Sequence, residues 1–445
     1  MSEYIKVTEF EEMTRIATGI SNGLMGINLV YCLEEGKLYQ YTSGYWEEIF
    51  SEELMLLICK SEQYSFVVKH AISKRKQIIE NIKIFTQKRL KFFNAKGYLN
   101  FDIGEFDPET MQMHDHCKEN YSTIRVPYPY NYNEKCPTWL NTVKEIMQNN
   151  EEKISILQEF FGYCLTRDTT HRKALLLLGE SNCGKSTILN VLRAMVGSNN
   201  CSSVSLGSIS DQQHTPRLIN KLVNIDSDVS ASAKEFEGYF KVITSGEPIS
   251  CNQKFIETFE FVPFCKFVMA ANVFPKITDH SSAVYNRLIL IPCDRIFTEA
   301  EMNRNLFKQL ENELPGIFNW AVEGLKRLRE RGMFTRADFM KEAVQELENE
   351  NNPTNVFFEE HVEADVSGDI FIEKMTLYEK YVAWCKSNGH YDLSRARFGA
   401  CVYKKFSKET PKDTKEPITG KRIWRNIKYV EQSGEEKAEV INWHD

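Results

Sequence analysis

Apolar and polar positions along this chain fall into blocks whose spacing changes several times. Lys173 to Thr187 reads KALLLLGESNCGKST. Leu175 to Leu178 form an unbroken apolar run, which predicts a strand buried on both faces. Gly179 ends the run, and from Thr187 to Met195 the apolar residues recur at helical spacing. KLVNIDSDV (Lys221–Val229), CKFVMAANVFP and YNRLILIP repeat the short buried-strand pattern further on. Strand blocks separated by helical blocks predict an α/β core with a parallel sheet over residues 169–300.

The flanks read differently. Residues 1–135 mix strand and helix patterns and predict an α+β domain. Val30 to Ile49 reads as a hairpin with Gly36 and Gly44 at turns. Its aromatics, Tyr39, Tyr41, Tyr45 and Trp46, are expected to make a small core rather than a base-stacking platform. Ser73 to Arg89 is a basic helical stretch carrying Lys74, Arg75, Lys76, Lys83, Lys88 and Arg89. Such a stretch is ordinarily a solvated face, though it suits contact with a DNA backbone. Residues 136–168 pair apolar positions at i, i+3 and i+4, as in Ile156, Phe160, Tyr163 and Cys164. That predicts a helical pair, either a collar for self-association or a lid on the core.

Residues 301–355 are helical and charged, ending in a polar linker around Asn349 to Asn355. Residues 356–445 predict a separate small domain. KMTLYEKYVAWCKSNG is an amphipathic helix with Leu377, Tyr378, Tyr381 and Trp384 on one side. LSRARFGACVYKKF is a second helix with Ser394 as its cap, and PITGKRIWRNIKYV reads as a hairpin turning at Gly420. Helix, helix, hairpin is a winged-helix order.

Composition narrows the setting. A chain of 445 residues exceeds what one core accommodates. Its apolar runs are far shorter than a membrane span, and MSEYIKVTEF has no signal-peptide core. Twelve cysteines occur singly with no C-x-x-C pair, which speaks against a zinc ribbon or a disulfide framework and predicts the cytoplasm. The net charge of −7 gives no sign of a nucleic-acid partner, but its distribution does. Between Tyr391 and Val430 there are eleven Lys or Arg against four acids. A basic segment confined to one helix and one wing is a footprint for duplex DNA. Arg395, Arg397, Lys404 and Lys405 fall on the predicted recognition helix, and Lys421, Arg422 and Arg425 on the wing. A protein-interaction module with a solvated basic face is the alternative.

The candidate chemistry begins at GESNCGKS, which fits G-x-x-x-x-G-K-[ST] in the strand–loop–helix context that a phosphate-binding loop requires. Gly179, Glu180, Ser181, Asn182, Cys183, Gly184, Lys185, Ser186 and Thr187 would cradle ATP through backbone N–H groups and the helix N-terminus. Lys185 would reach the β and γ phosphates, and Ser186 would hold Mg²⁺. Asp226 and Asp228 end a short strand, where a carboxylate can meet Mg²⁺ or the attacking water; spacing leaves their division of labour open. Pro248 to Phe261 can form a hairpin whose tip carries Lys254 and Phe255, a pairing suited to single-stranded DNA. Asn272 ends another strand, in position to hold a water or the γ phosphate, and Arg287 precedes a fourth. His114-Asp115-His116 reads as a loop, and Asp102 and Asp107 as turn residues.

The succession GESNCGKS, LVNIDSD, SGEPISCNQKF and FVMAANVFPKITDHSSAVYNRLILIP resembles the superfamily 3 helicase core. It is similar to phage, plasmid and poxvirus-type primase-helicases and to replication initiators of staphylococcal pathogenicity islands and chromosome cassettes. Asn272-x-x-Pro275 followed by Asp279, Ser281, Arg287 and Leu288 is its most specific part, and it covers residues 95–300 best. The resemblance implies an AAA+ ATPase assembling as a hexameric ring and moving 3′ to 5′ on single-stranded DNA. It implies Lys185 and Ser186 on nucleotide and Mg²⁺, and Asp226 or Asp228 at the acidic strand, where the family often has glutamate. It further implies Lys254 on a DNA-tracking hairpin, Asn272 as sensor, and Arg287 as a finger acting on the neighbouring subunit. The upstream region is shorter than the primase domain some relatives carry. A replication initiator-helicase is therefore expected. A non-unwinding AAA+ loader or switch acting on a protein partner is the alternative, followed by a bifunctional primase-helicase.

Overall fold

The computed structural model describes residues 2–23, 26–230, 233, 236–252, 257–275, 277, 283–351, 353–365, 370–406 and 420–431. The chain divides into two compact units, Met1–Ala343 and Val344–Asp445.

The first unit opens with an α+β region: α1 (Ser2–Ser21), β1 (Asn28–Cys32), β2 (Lys37–Thr42), β3 (Tyr45–Glu48), α2 (Ser51–Lys60), α3 (Ile72–Thr86) and β4 (Gln87–Lys88). The sheet order is β3-β2-β1-β4, antiparallel except for β4 alongside β1. The expected hairpin is thus a three-strand meander, with Gly36 (φ 67°) and Gly44 (φ 88°) at the turns, where a side chain would be strained. Tyr39 and Trp46 are buried with Val30, Cys32 and Phe93, and Tyr41 packs against them in the expected small core, whereas Tyr45 lies outside it under Arg125. The helices bury Ile16, Ile20, Ile58, Ile78 and Ile82 in a second cluster.

A second antiparallel sheet follows: β5 (Leu99–Asn100), β6 (Glu105–Asp107) and β7 (Gln112–His114). Asp107 is a turn residue, accepting hydrogen bonds from the Glu109 N–H and the Thr110 hydroxyl, both at 2.8 Å. His114 ends β7 rather than lying in a loop, and stacks on Tyr98. Among the described residues no group of three metal-binding side chains occurs.

The α/β core comprises α4 (Pro137–Ile146), α5 (Glu151–Tyr163), β8 (Ala174–Leu178), α6 (Lys185–Val196), β9 (Cys201–Ser202), β10 (Val223–Asp226), α7 (Glu237–Thr244), β11 (Ile249–Cys251), β12 (Phe259–Phe261), β13 (Lys266–Ala271), β14 (Leu288–Pro292), α8 (Leu306–Asn312) and α9 (Leu314–Arg331). Five of these strands form one parallel sheet in the order β14-β8-β13-β10-β9. Every residue of β13 and the first four of β8 are buried, which explains the unbroken apolar runs.

The helical pair α4–α5 belongs to this core. Trp139, Phe160 and Phe161 share a cluster with Leu175 and Leu177 of β8. Helix α5 crosses α9 at glycines: a Cβ on Gly162 would lie 2.4 Å from the Ala321 carbonyl, and one on Gly324 2.2 Å from that of Gln158. Buried Glu159 spans the crossing, 2.8 Å from Arg327 Nε and 3.3 Å from Arg331. Among the described residues no helix is long and apolar enough to cross a membrane.

The second unit and the helix leading to it contain α10 (Asp338–Asn351), α11 (Pro353–His361), β15 (Val362–Ala364), β16 (Phe371–Glu373), α12 (Lys374–Ser387), α13 (Arg395–Lys405), β17 (Ile423–Arg425) and β18 (Ile427–Tyr429). The polar stretch expected as a linker is therefore largely helical. Both expected helices are present, and Tyr381 stacks on Phe398 at 4.5 Å to join them. Ser394 occupies the N-cap position of α13 without a side-chain capping bond. The arm of the expected hairpin that precedes Gly420 lies outside the described residues. Asn426 (φ 60°) breaks the run, so β17 pairs with β16 and β18 with β15, both antiparallel.

Lys266 is buried where β13 begins, donating to the Thr166 carbonyl at 2.5 Å and the Phe264 carbonyl at 3.0 Å. Burial lowers its ammonium from 10.5 to about 8. The folded state thus releases this proton before the unfolded state does, so its contribution to stability rises with pH between about 8 and 10.5. Relative to Lys266→Met, the wild type should gain about 3 kcal/mol across that window. Denaturant melts at several pH values test this, and a constant difference would refute it.

Candidate nucleotide site

The loop between β8 and α6 is shaped by close contacts that its residues alone do not reveal. Asn182 (φ 62°) and Gly184 (φ 89°) are left-handed, which turns the chain into the N-terminus of α6. A Cβ on Gly184 would lie 2.6 Å from the Ile146 side chain of α4, and one on Gly179 2.3 Å from the Cys293 carbonyl after β14. The Phe297 N–H donates to the Asn182 carbonyl at 2.9 Å, tying the loop to the segment beyond the sheet. Glu180, Ser181, Asn182 and Ser186 are exposed, Thr187 is half-buried, and Cys183 is buried.

Lys185 folds over the loop. Its ammonium donates to the Gly179 carbonyl at 2.6 Å, the Glu180 carbonyl at 2.7 Å and Asn272 Oδ1 at 3.1 Å. It also lies 3.3 Å from Cys183 Sγ. The Cys183 thiol is held below its ordinary range, first by a hydrogen bond from Cys293 and then by this ammonium. Lys185 and Asn272, 87 positions apart in sequence, are thus brought together because β13 lies directly beside β8.

The acidic pair lies one strand further out. Asp226 is level with Met269 of β13, and Met269 with Leu176 of β8, so it ends β10 just below the sheet's carboxyl edge. It is buried, its Oδ2 accepts from the Leu206 N–H at 2.7 Å, and desolvation raises its carboxyl. Asp228, two residues nearer the edge, is exposed. Ser186, Asp226 and Asp228 are hard oxygen donors of the kind Mg²⁺ takes, and a lysine over a glycine loop at a helix N-terminus suits a polyphosphate.

Arg287 is not brought to this edge within one chain. It precedes β14, whose Leu288 pairs with Ala174 at the start of β8, so it lies at the opposite end of the sheet. Its guanidinium donates to the Ala283 carbonyl at 2.8 Å and to Ser245 Oγ at 3.1 Å. Burial and Arg172 lower its affinity for a proton. Lys254 and Phe255 lie outside the described residues, although the flanking β11 and β12 pair antiparallel.

In the second unit, Arg395, Arg397, Lys404 and Lys405 are exposed on α13, while Phe398 and Val402 face the core. Lys405 pairs with Glu359 at 3.0 Å and Lys421 with Glu373 at 2.7 Å, which offsets part of the basic excess. Arg422 is exposed before β17, and half-buried Arg425 ends it. Cys293, Ile146 and the Leu206 amide escaped sequence reasoning, since each reaches the site through tertiary packing and carries no local signature.

Gly184→Ala should destabilise the loop through both its φ and the Ile146 clash, whereas Gly179→Ala meets a backbone carbonyl that cannot be trimmed. In a double-mutant cycle, Ile146→Ala should therefore recover part of the Gly184→Ala loss, on the order of 1 kcal/mol, and none of the Gly179→Ala loss. Equal behaviour of the two glycines in thermal melts would contradict this packing.

Comparison with known proteins finds three family models along the chain. Residues 22–148 match a D5 N-terminal-like model, residues 177–287 a family of unknown function (DUF5906), and residues 349–441 a poxvirus D5 protein-like model. No curated protein matches. Among solved structures, an A-form apo structure of the NrS-1 C-terminal region is 14% identical, with a TM-score of 0.54, covering 91% of this chain and 97% of that one. Another apo structure of the NrS-1 C-terminal region (305-718) is 13% identical, with a TM-score of 0.51, covering 91% and 96%. At these identities the likeness is one of fold.

Proposed function

With D5-type segments on both sides of the phosphate loop supporting a phage/poxvirus D5-type primase-helicase family, we propose that this chain is an ATP-driven replicative DNA helicase of the superfamily 3, AAA+ type. It acts in the cytoplasm as a hexameric ring moving 3′ to 5′ on single-stranded DNA, and as the replication initiator of a phage or mobile element. The observation that carries this reading is the 3.1 Å contact between Lys185 Nζ and Asn272 Oδ1. A loop cation and a neighbouring strand's terminal amide converge at the carboxyl edge of a parallel sheet, where open α/β sheets bind ligands.

In this reading Gly179 to Thr187 hold the triphosphate, with Lys185 swinging from the loop carbonyls to the β and γ phosphates. Bound ATP with Mg²⁺ supplies a phosphoryl group for transfer to water. Ser186 and exposed Asp228 are the metal-facing oxygens. Asp226, already engaged by the Leu206 amide, anchors the turn that presents Asp228. Asn272 orients water or the γ phosphate, and Arg287 serves the site of the adjacent subunit. Lys254 and Phe255 track single-stranded DNA. The C-terminal unit is a winged-helix-type binder of duplex origin DNA, using Arg395, Arg397 and Lys404 of α13 with Arg422 and Arg425. Lys405 and Lys421 contribute less because intramolecular carboxylates already pair them.

Purified protein with ATP and Mg²⁺ should displace the strand of a fork bearing a 3′ tail, and Lys185→Ala should abolish both displacement and hydrolysis. Hydrolysis with no displacement would instead favour the remodelling-switch reading. Mixing Arg287→Ala with Lys185→Ala protein should restore part of the hydrolysis, because one intact composite site can form between them. No recovery in rings shown to be mixed would make Arg287 a structural residue.

A further inference from the structure

The N-terminal region carries a charged, aromatic ridge that the phosphate-loop site does not use. Ser73 to Tyr98 holds eight Lys or Arg and one acid, in a chain of net charge −7. Where α3 ends, the backbone runs through β4 and a short turn at Leu90–Phe92 that leaves Lys88, Arg89, Lys91 and Phe92 exposed. Phe92 is 47% exposed, although a ring of its size ordinarily finds cover. Lys91 Nζ lies 5.3 Å and Lys88 Nζ 6.0 Å from its centroid. Further on, Lys96 lies 5.4 Å from the Tyr98 ring, which itself stacks on His114.

Two hollows border this ridge and share Arg167. One, of 630 Å³, is lined by Arg89, Lys91, Phe93, Phe261 and Arg167; the other, of 410 Å³, by Lys96, Gly97 and Arg167. Arg167 is fixed in place, bonded to the Asn94 carbonyl and lying 4.4 Å over the Phe264 ring. Three carboxylates reach these hollows. Glu34 accepts from the Leu90 N–H and lies 3.4 Å from Arg89, and Glu109 is paired with Arg329 at 2.7 Å, so both are already balanced, leaving Glu260.

We infer that the ridge from Lys88 to Tyr98, with Arg167 on its floor, binds single-stranded DNA: the cations take the phosphates and Phe92 stacks on a base. Single strands are favoured over duplex because an exposed ring flanked by lysines gains only from bases whose faces are free. The inference rests on the reading of this chain as a DNA-acting protein, and adds contacts for the strand beyond those of Lys254 and Phe255.

The test is fluorescence anisotropy of the full chain with labelled oligo(dT) and with blunt duplex, without nucleotide, over a range of salt. Phe92→Ala should weaken oligo(dT) binding about 5- to 150-fold with the salt slope unchanged. Lys88→Ala/Lys91→Ala/Lys96→Ala should weaken it and flatten the slope by about 2, given roughly 0.7 per lost phosphate contact. Thermal melts verify folding, and bromodeoxyuridine photo-crosslinking of the wild type should mark the peptide holding Phe92 even where a variant fails to fold. Unchanged oligo(dT) affinity in both variants, a crosslink elsewhere only, or an equal loss on duplex would overturn the inference. A protein that binds oligo(dT) through this ridge yet never unwinds would overturn the helicase reading and leave the ridge standing.

Discussion

The constraint on which the loop depends is the meeting of Gly179 with the Cys293 carbonyl, where the chain leaves β8 beside the end of β14. No side chain fits there, and the register of the parallel sheet depends on the same approach: Pro292 pairs with Leu178, and the Cys293 N–H donates to the Leu178 carbonyl at 2.7 Å. That register sets the height of the phosphate loop. The loop's height in turn determines that Lys185 meets Asn272, which continues from β13 on the other side of β8. On the helix side, Gly184 performs the same service against Ile146 of α4. The loop is therefore clasped between sheet and helix, which preorganises its amides before any ligand arrives.

Charge is placed with corresponding economy in the interior. Glu159 and Lys266 are buried, and each is surrounded by donors or acceptors of the opposite character: Glu159 by Arg327, Arg331 and Thr335, Lys266 by two carbonyls and the Tyr163 ring. Such groups add little net stability, but breaking either set leaves an uncompensated charge in a low dielectric. They bind the helical pair α4–α5 to α9 and to the base of the sheet. The region that spacing alone left as collar or lid is consequently continuous with the core.

The two basic surfaces differ in how their charge is balanced. The basic helix α13 carries its positive charge on a face whose neighbours include Glu359, so its field is weaker than the residue count suggests. The N-terminal ridge has as many cations, Lys88, Arg89, Lys91 and Lys96, but they flank an exposed ring and two hollows, and its nearest acids are mostly already paired. Local charge balance in space, rather than charge along the sequence, separates these two surfaces.

The sequence by itself determined most of the elements. An apolar run bounded by glycine reads as a strand buried on both faces, G-x-x-x-x-G-K-S reads as a loop of amides ahead of a helix, and Leu377, Tyr381, Phe398 and Val402 fall at helical spacing. These are short-range properties, dictated by backbone sterics and by which face must avoid water. The tertiary structure alone decided strand order and register, and with them which distant residues meet. Lys185 and Asn272 meet, while Arg287 lies at the far end of the sheet; Asp226 is engaged by an amide, while Asp228 is exposed. Strands β17 and β18 pair with β16 and β15, which lie some fifty to seventy positions earlier in the chain. Strand pairing and burial are settled by long-range packing, and no local pattern of residues encodes the partner.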